Sequence, residues 1–178
     1  AALVHTSSGY HPIASEGGHI TVAPSSDAEF EIFKLLKQTQ QHISAEDLLC
    51  GRGLVNLYRC YAKLQELPDK GYAPDEVTQQ ALNNSDPLCV AAFDSFLGLL
   101  GSYCGDLALI FGARGGVFLG GGILPQIQPH IAKSQFLGRF MNKGQMRKLV
   151  KEIPVKLITH RQPAFIGAAA WLHDHLNN

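Results

Sequence analysis

A chain of 178 residues that is 46% hydrophobic and 17% charged is long enough for one domain with a sizeable core, and a charged fraction below the usual quarter implies that much of it is buried. Its 15 Lys and Arg balance 15 Asp and Glu, so there is no net field to draw it to nucleic acid or to an anionic membrane, and both partners are set aside. The four cysteines, Cys50, Cys60, Cys89 and Cys104, form no CxxC or CxxxC pair, which argues against zinc and for free, packed thiols in a reducing compartment such as the cytoplasm.

In chain order, Ala1 to His5 is a short apolar run that predicts a strand, and Ser7-Ser8-Gly9 a turn. The chain begins inside that run without an initiator Met, so a fragment, a processed chain or a truncated chain is expected, and residues 1–10 lack the basic start and long apolar core of a secretory leader. Ile20 to Ala23 is β-branched and strand-like, which would place Glu16-Gly17-Gly18-His19 in a loop at a sheet edge. Pro24-Ser25-Ser26-Asp27 opens a helix whose apolar face carries Phe30, Ile32, Phe33, Leu35 and Leu36. Ser44 is a fitting N-cap, with Glu46 and Asp47 in the positive first turn, and Gly51 and Gly53 are expected to break that helix. Leu54, Leu57, Tyr58, Tyr61 and Leu64 make the next helical face, Pro68 to Pro74 a loop, and Asp75 to Asn83 a short polar helix.

Asp86 and Pro87 then start the most apolar segment, Leu88 to Phe111. It has the length of a membrane span, but Asp94 and Asp106 interrupt it, and a helix buried in a core is the better reading. Gly98, Gly101 and Gly105 fall on one face of it. Glycine in a helix costs about 1 kcal/mol against alanine, so three together imply an element packed very close. Gly115 to Leu119 reads as a buried strand ending in Gly120-Gly121-Gly122, and Leu124-Pro125 as a helix start. Residues 134–151 predict one or two helices around Gly144, with Lys143, Arg147, Lys148 and Lys151 as a solvated basic face. Ile153 to Thr159 predicts a strand, and Pro163 opens a closing helix from Ala164 to Leu176. Strands near both ends with helices between make the fold α/β or mixed.

Three groups of residues could carry chemistry. Glu16-Gly17-Gly18-His19 can turn sharply at its glycines and present a carboxylate and an imidazole to one pocket, a pair suited to vicinal hydroxyls. Taken alone the signal is weak, and a turn with exposed Glu and His is the simpler account of it. Glu46 is either part of the helix-start electrostatics or a second acid reaching the same pocket. Gly115 to Gly122 is neither a dinucleotide fingerprint nor a Walker loop. It is a tight strand-to-helix turn, or a place where a ligand approaches the backbone. His5, His11, His42, His130, His160, His173 and His175 read as surface or structural, and no G-x-S-x-G elbow supports hydrolase chemistry.

Glu16-Gly17-Gly18-His19, Ser44-Ala45-Glu46 with Gly51-x-Gly53-Leu54-Val55-Asn56-Leu57-Tyr58-Arg59, Gly115 to Gly122 and Ile153-Pro154-Val155, in that order, resemble the bacterial glucokinases over essentially the whole chain. The resemblance implies the actin-like (ribonuclease H-like), hexokinase-type fold, two α/β domains with a cleft between them. Residues 1–159 would correspond to most of the larger domain, and residues 160–178 to the helix that returns to the smaller one. It implies that Glu16, His19 and Glu46 are sugar-hydroxyl ligands and that Gly120, Gly121 and Gly122 pass beside the adenosine of ATP. Glucose, ATP and Mg2+, and a homodimer, come with the same resemblance.

The family's N-terminal phosphate hairpin, its Asn-Asp pair with the basic Asp, and its second phosphate loop have no counterpart among these residues. The catalytic base is therefore expected upstream, and the chain alone is expected not to turn over. With a partner domain absent, the closing helix would expose apolar surface. The zinc-binding cysteine motif of the related repressor–kinase group is also missing. The alternatives are a sugar-binding regulatory module on a kinase scaffold and a kinase for a related hexose or amino sugar.

Overall fold

The structure is a computed structural model that describes residues 1–7, 9–160 and 162–176, with the backbone alone at residues 125, 126, 174 and 175. Ser8 of the expected first turn and the side chain of His175 thus lie outside the described residues. The fold is mixed, largely helical with two separate two-stranded sheets among the described residues.

β1 (Ala2–Thr6) and β2 (Gly9–Ile13) form an antiparallel hairpin in which Ala2 faces Ile13 and Thr6 faces Gly9. The second strand is therefore Gly9–Ile13 rather than Ile20–Ala23. The latter run is β-branched, but only Thr21 finds a bridge, to Ser44, and Gly17–His19 between them is a 3₁₀ turn. β3 (Val117–Leu119) and β4 (Val155–Leu157) pair in parallel, Val117 opposite Val155. Both are shorter than the sequence suggests, and Phe118 is exposed rather than buried, because two strands alone leave a face open where parallel sheets are normally covered. Gly116, at φ +124°, has the Pro154 carbonyl 3.0 Å from where a Cβ would stand, so a side chain is excluded there twice over.

The helices are α1 (Asp27–Leu36), α2 (Ala45–Leu48), α3 (Gly51–Leu64), α4 (Pro74–Leu82), α5 (Pro87–Ile110), α6 (Gln128–Ile131), α7 (Phe136–Met141), α8 (Arg147–Lys151) and α9 (Pro163–Leu176). Ser26 caps α1, its hydroxyl accepting from the Glu29 N–H. Gly51 and Gly53 do not break a helix; they form the first turn of α3. A Cβ at Gly53 would overlap the Leu48 backbone, so its absence is what lets α3 start hard against α2. The core gathers Ile32 and Phe33 of α1, Leu54, Leu57 and Tyr58 of α3, Val77 of α4, Phe96, Leu97 and Leu99 of α5, and Phe136 and Phe140 of α7.

α5 is the axis. It is 24 residues long, buried on most of its length between α3, α4 and α7, as an all-round apolar helix of a core should be. The glycine face meets α7. A Cβ at Gly101 would overlap the Phe136 carbonyl oxygen and one at Gly105 the Phe140 carbonyl oxygen. Gly98 leaves room for a buried pair: Arg139 donates from Nη1 and Nη2 to the two Glu29 oxygens at 2.8 and 3.0 Å, and from Nε to the Ser102 hydroxyl at 2.9 Å. Lys143 closes the same seam, donating to the Ser102 carbonyl at 2.9 Å and pairing with Asp106 at 2.7 Å. The cysteines are free thiols. Burial pushes Cys60 and Cys89 up to about 11 and Cys104 to about 12. On α9, Phe165, Ile166, Trp171, Leu172 and Leu176 are exposed, as expected for the closing helix.

Two outcomes follow for stability. Gly101→Ala forces α5 and α7 apart at a backbone atom, where overpacking typically costs about 1–3 kcal/mol. That outweighs a helix-propensity gain of about 0.5–1 kcal/mol. Gly138→Ala, on the exposed face of α7, meets nothing within 4 Å and should gain instead. Urea melts showing both variants equally stable would exclude this packing account.

The second concerns acid. Asp86 caps α5, its Oδ1 accepting from the Leu88 and Cys89 N–H groups at 2.9 and 3.4 Å and its Oδ2 from Lys70 Nζ at 2.7 Å. Burial raises its pKa, but the Lys70 ammonium and the two N–H groups more than offset that, leaving it below the ordinary carboxylate value. A depressed folded pKa means the stabilisation is present above the unfolded value of about 4 and is lost as pH falls through the lower folded one. Asp86→Asn should therefore be less stable at neutral pH and lose less on acidification below about pH 4. Parallel acid limbs in the two proteins would count against it.

Candidate functional site

The Glu16 to His19 segment folds as a 3₁₀ turn closed by the His19 N–H donating to the Glu16 carbonyl at 3.0 Å and the Ile20 N–H to the Gly17 carbonyl at 3.2 Å. Beneath it lies α5, where the Tyr103 hydroxyl is 3.2 Å from where a Gly17 Cβ would be, so a larger residue there would press on that hydroxyl. Burial raises the Tyr103 phenol above its ordinary value, keeping it neutral under the turn. Beyond the turn the chain runs antiparallel to the entry of α2. The Ala45 N–H donates to the Ile20 carbonyl at 3.0 Å, the Val22 N–H to the Ile43 carbonyl at 3.3 Å, and His42 Nε2 stands 2.8 Å from the His19 carbonyl.

α2 is only four residues long, and its start is fixed by a capping box. The Asp47 N–H donates to the Ser44 hydroxyl at 3.3 Å, while Asp47 Oδ2 accepts from the Ser44 N–H at 2.9 Å and the Ser44 hydroxyl at 2.7 Å. The Ser44 N–H, then its hydroxyl, hold the Asp47 carboxyl below the usual range against the opposing effect of burial, with Arg52 and then His42 adding lesser contributions. The capping role that the sequence left open for Glu46 thus belongs to Asp47, and Glu46 is directed elsewhere.

It is directed at the turn. His19 Nε2 lies 3.6 Å from Glu46 Oε2 and 3.9 Å from Glu16 Oε2, and Glu46 Oε2 is 3.7 Å from where a Gly18 Cβ would be. The three side chains are open to solvent, 65% for His19, 91% for Glu16 and 55% for Glu46. The gaps exceed hydrogen-bond length, so the imidazole and both carboxylates keep their bonding capacity for something else. Two acceptor-only carboxylates flanking a group that both donates and accepts can take up several hydroxyls at once. Gly120, Gly121 and Gly122 do not join this cluster. They follow β3, where Gly120 borders Ile158, Gly121 has φ +137°, and no atom lies within 4 Å of the Cβ positions of Gly121 and Gly122. The sequence reads His42 as surface or structural and gives Tyr103 no role, whereas the structure sets both against the turn. Only the antiparallel pairing of 20–22 with 43–45 would have pointed to His42, and nothing in the sequence ties Tyr103 to Gly17.

Comparison with known proteins gives a consistent family. The family model described as Glucokinase matches residues 1–175. The glucokinase of Saccharophagus degradans is 43% identical over 172 residues, 97% of this chain and 54% of that protein. That of Chromobacterium violaceum is 43% identical over 176 residues, 99% of this chain and 51% of that protein. The chain thus spans about half the length of the curated relatives it matches. Among solved structures, a glucokinase from an Antarctic psychrotroph superposes with a TM-score of 0.89 at 37% identity, covering 97% of this chain and 53% of that one. The glucokinase from Balamuthia mandrillaris in complex with glucose gives a TM-score of 0.70 at 20% identity over 89% of this chain and 46% of that one, a likeness of fold alone.

Ser44→Ala should cost about 1 kcal/mol, the usual worth of such a cap. It should also move the Asp47 carboxyl part of the way up toward its ordinary value, since the Ser44 N–H remains. A carboxyl-detected NMR titration in which Asp47 does not move would exclude the capping box as the cause of its shift.

Proposed function

This chain belongs to the glucokinase family, and from that premise we propose that the protein containing it transfers the γ-phosphoryl group of ATP to glucose, with Glu16, His19 and Glu46 holding the sugar hydroxyls. The observation that carries the reading is the convergence of two carboxylates and an imidazole, from a turn and a helix start 30 residues apart (Glu16 to Glu46), on one solvent-facing patch with none of them hydrogen-bonded to another. Such a set exchanges water for sugar hydroxyls without losing a partner, which suits a polyol. Gly120, Gly121 and Gly122 are read as the segment beside the nucleotide, because a backbone without side chains and with open space above it admits a ligand's flat face.

Positioning and charge stabilisation do most of the work in phosphoryl transfer, so the role of this chain is to hold the sugar still while the acceptor hydroxyl meets the phosphorus. The proposal assigns no catalytic base to these residues. Among the described residues no three His, Cys, Asp or Glu side chains stand together as a metal site, so Mg2+ is given no protein ligand here and enters with the nucleotide phosphates. Residues 1–159 as part of a larger domain, residues 160–178 as the helix returning to a smaller one, a homodimer and a cytoplasmic location belong to the same proposal.

A coupled phosphorylation assay with ATP, Mg2+ and a panel of hexoses, on the natural protein that contains these residues, tests it. Glu16→Gln and Glu46→Gln should each raise the KM for glucose about tenfold or more, the worth of one charged hydrogen bond. An unchanged KM in both variants would overturn the site, and a well-folded protein inactive on every hexose would turn the reading to a regulatory sugar-binding module.

A further inference from the structure

A 3₁₀ turn of three residues has little rigidity of its own, yet with Glu16 just before it the turn presents two of the three proposed sugar ligands. What holds it is a short antiparallel ladder. Ala45 donates to Ile20, Val22 donates to Ile43, and Thr21 bridges Ser44, so the segment after the turn is laced to the segment before α2. The ladder's last backbone rung is at Ile20, one residue short of His19. At His19 the partner is a side chain, His42 Nε2, 2.8 Å from the carbonyl oxygen. A carbonyl only accepts, so Nε2 carries the proton and the ring donates, in the neutral form as in the charged one.

We propose that His42 is a positioning residue of the sugar site, fixing the His19 backbone through its Nε2–H and thereby the imidazole that faces Glu46 and Glu16. The inference rests on the reading of those three residues as sugar ligands. Three features make the hydrogen bond more than decoration. It is the contact that continues the ladder from Ile20 onto His19, the ligand residue itself. It spans 23 residues of sequence, so it ties the turn to the α2 side of the site rather than to its own neighbourhood. And His42 is exposed, with no part in the core, so its loss should be felt at the turn and not in the fold.

The bond is made before and during phosphoryl transfer alike, so its loss should weaken sugar binding uniformly and appear in KM rather than kcat. In the natural protein that contains these residues, His42→Ala should raise the KM for glucose about threefold to tenfold, as expected for one neutral hydrogen bond. The kcat, the KM for ATP and the melting temperature should stay near wild type. His42→Gln, whose amide can donate to the same carbonyl, should recover part of the loss. Run beside Glu16→Gln and Glu46→Gln, the outcomes separate. If those two raise the glucose KM and His42→Ala does not, the positioning role is wrong and the site stands. If His42→Ala raises the KM for ATP or lowers the melting temperature as much as it affects glucose, the residue is merely structural and the proposal is overturned. If none of the three variants changes the glucose KM, both the site and this inference are lost.

Discussion

Three missing side chains on one face of α5 set how close the rest of the chain can come. At Gly101 and Gly105 the carbonyls of Phe136 and Phe140 occupy the space of a Cβ, so α7 lies directly on the α5 backbone. At Gly98 the space is taken by a bidentate Arg139–Glu29 pair joining residues 110 apart, with the Glu29 side chain 3% and the Arg139 side chain 12% exposed. Such a pair adds little net stability once its desolvation is counted, but removing one partner strands a buried charge. It therefore commits α1 and α7 to one arrangement about α5. The Ser25 N–H also donates to Glu29, at 2.7 Å, and so brings the chain just upstream of α1 into the same network.

That anchoring is what gives the site its coordinates. The segment from Ile20 to Ser26 has one end on the buried Glu29 network and the other on the acid–imidazole turn. The turn rests on Tyr103 of α5, and α2 is pressed onto α3 through the bare backbone of Gly53. Glu16, His19 and Glu46 therefore come from two separate pieces of chain that are both referenced to α5. Within α2 the two acids divide the work: Asp47 is consumed by the capping box, and Glu46, one residue earlier and about 100° round the helix, is left to face the turn.

Much of this was written in local pattern. The spacing of Gly98, Gly101 and Gly105 announces a close neighbour because nothing else explains three poor helix formers on one face. Asp86-Pro87 and Ser44 mark helix starts by their capping chemistry, and the structure uses them so. What failed had a physical reason. Ile20 to Ala23 has strand composition, yet β propensity needs a partner strand, and the one available offers a single bridge. Gly51 and Gly53 look like helix breakers to a local reading, but Gly53 is dictated by the proximity of Leu48, a tertiary fact. The Arg139–Glu29 pair was illegible for the same reason, since no pattern links residues 110 apart. Glu46 was the ambiguous case. From sequence it shares the first turn with Asp47, and only the direction of each side chain separates the cap from the candidate ligand.

The resulting site is stiff behind and open in front. Behind it are backbone ladders, a buried ion pair and helix contacts with no room for a side chain. In front are three polar groups at distances too long to satisfy one another. The proposed recognition of a polyhydroxyl ligand relies on that combination. Hydrogen bonds to water and to a sugar differ little in strength, so binding gains from a backbone already held in place behind the three groups, while their exposed side chains are ordered only by the ligand. A pocket that paired Glu16, Glu46 and His19 with each other would be more stable and would bind less. Leaving them apart leaves their bonding capacity to a ligand, and the backbone that carries them is held by residues behind it, from Tyr103 under the turn to Arg139 across α5.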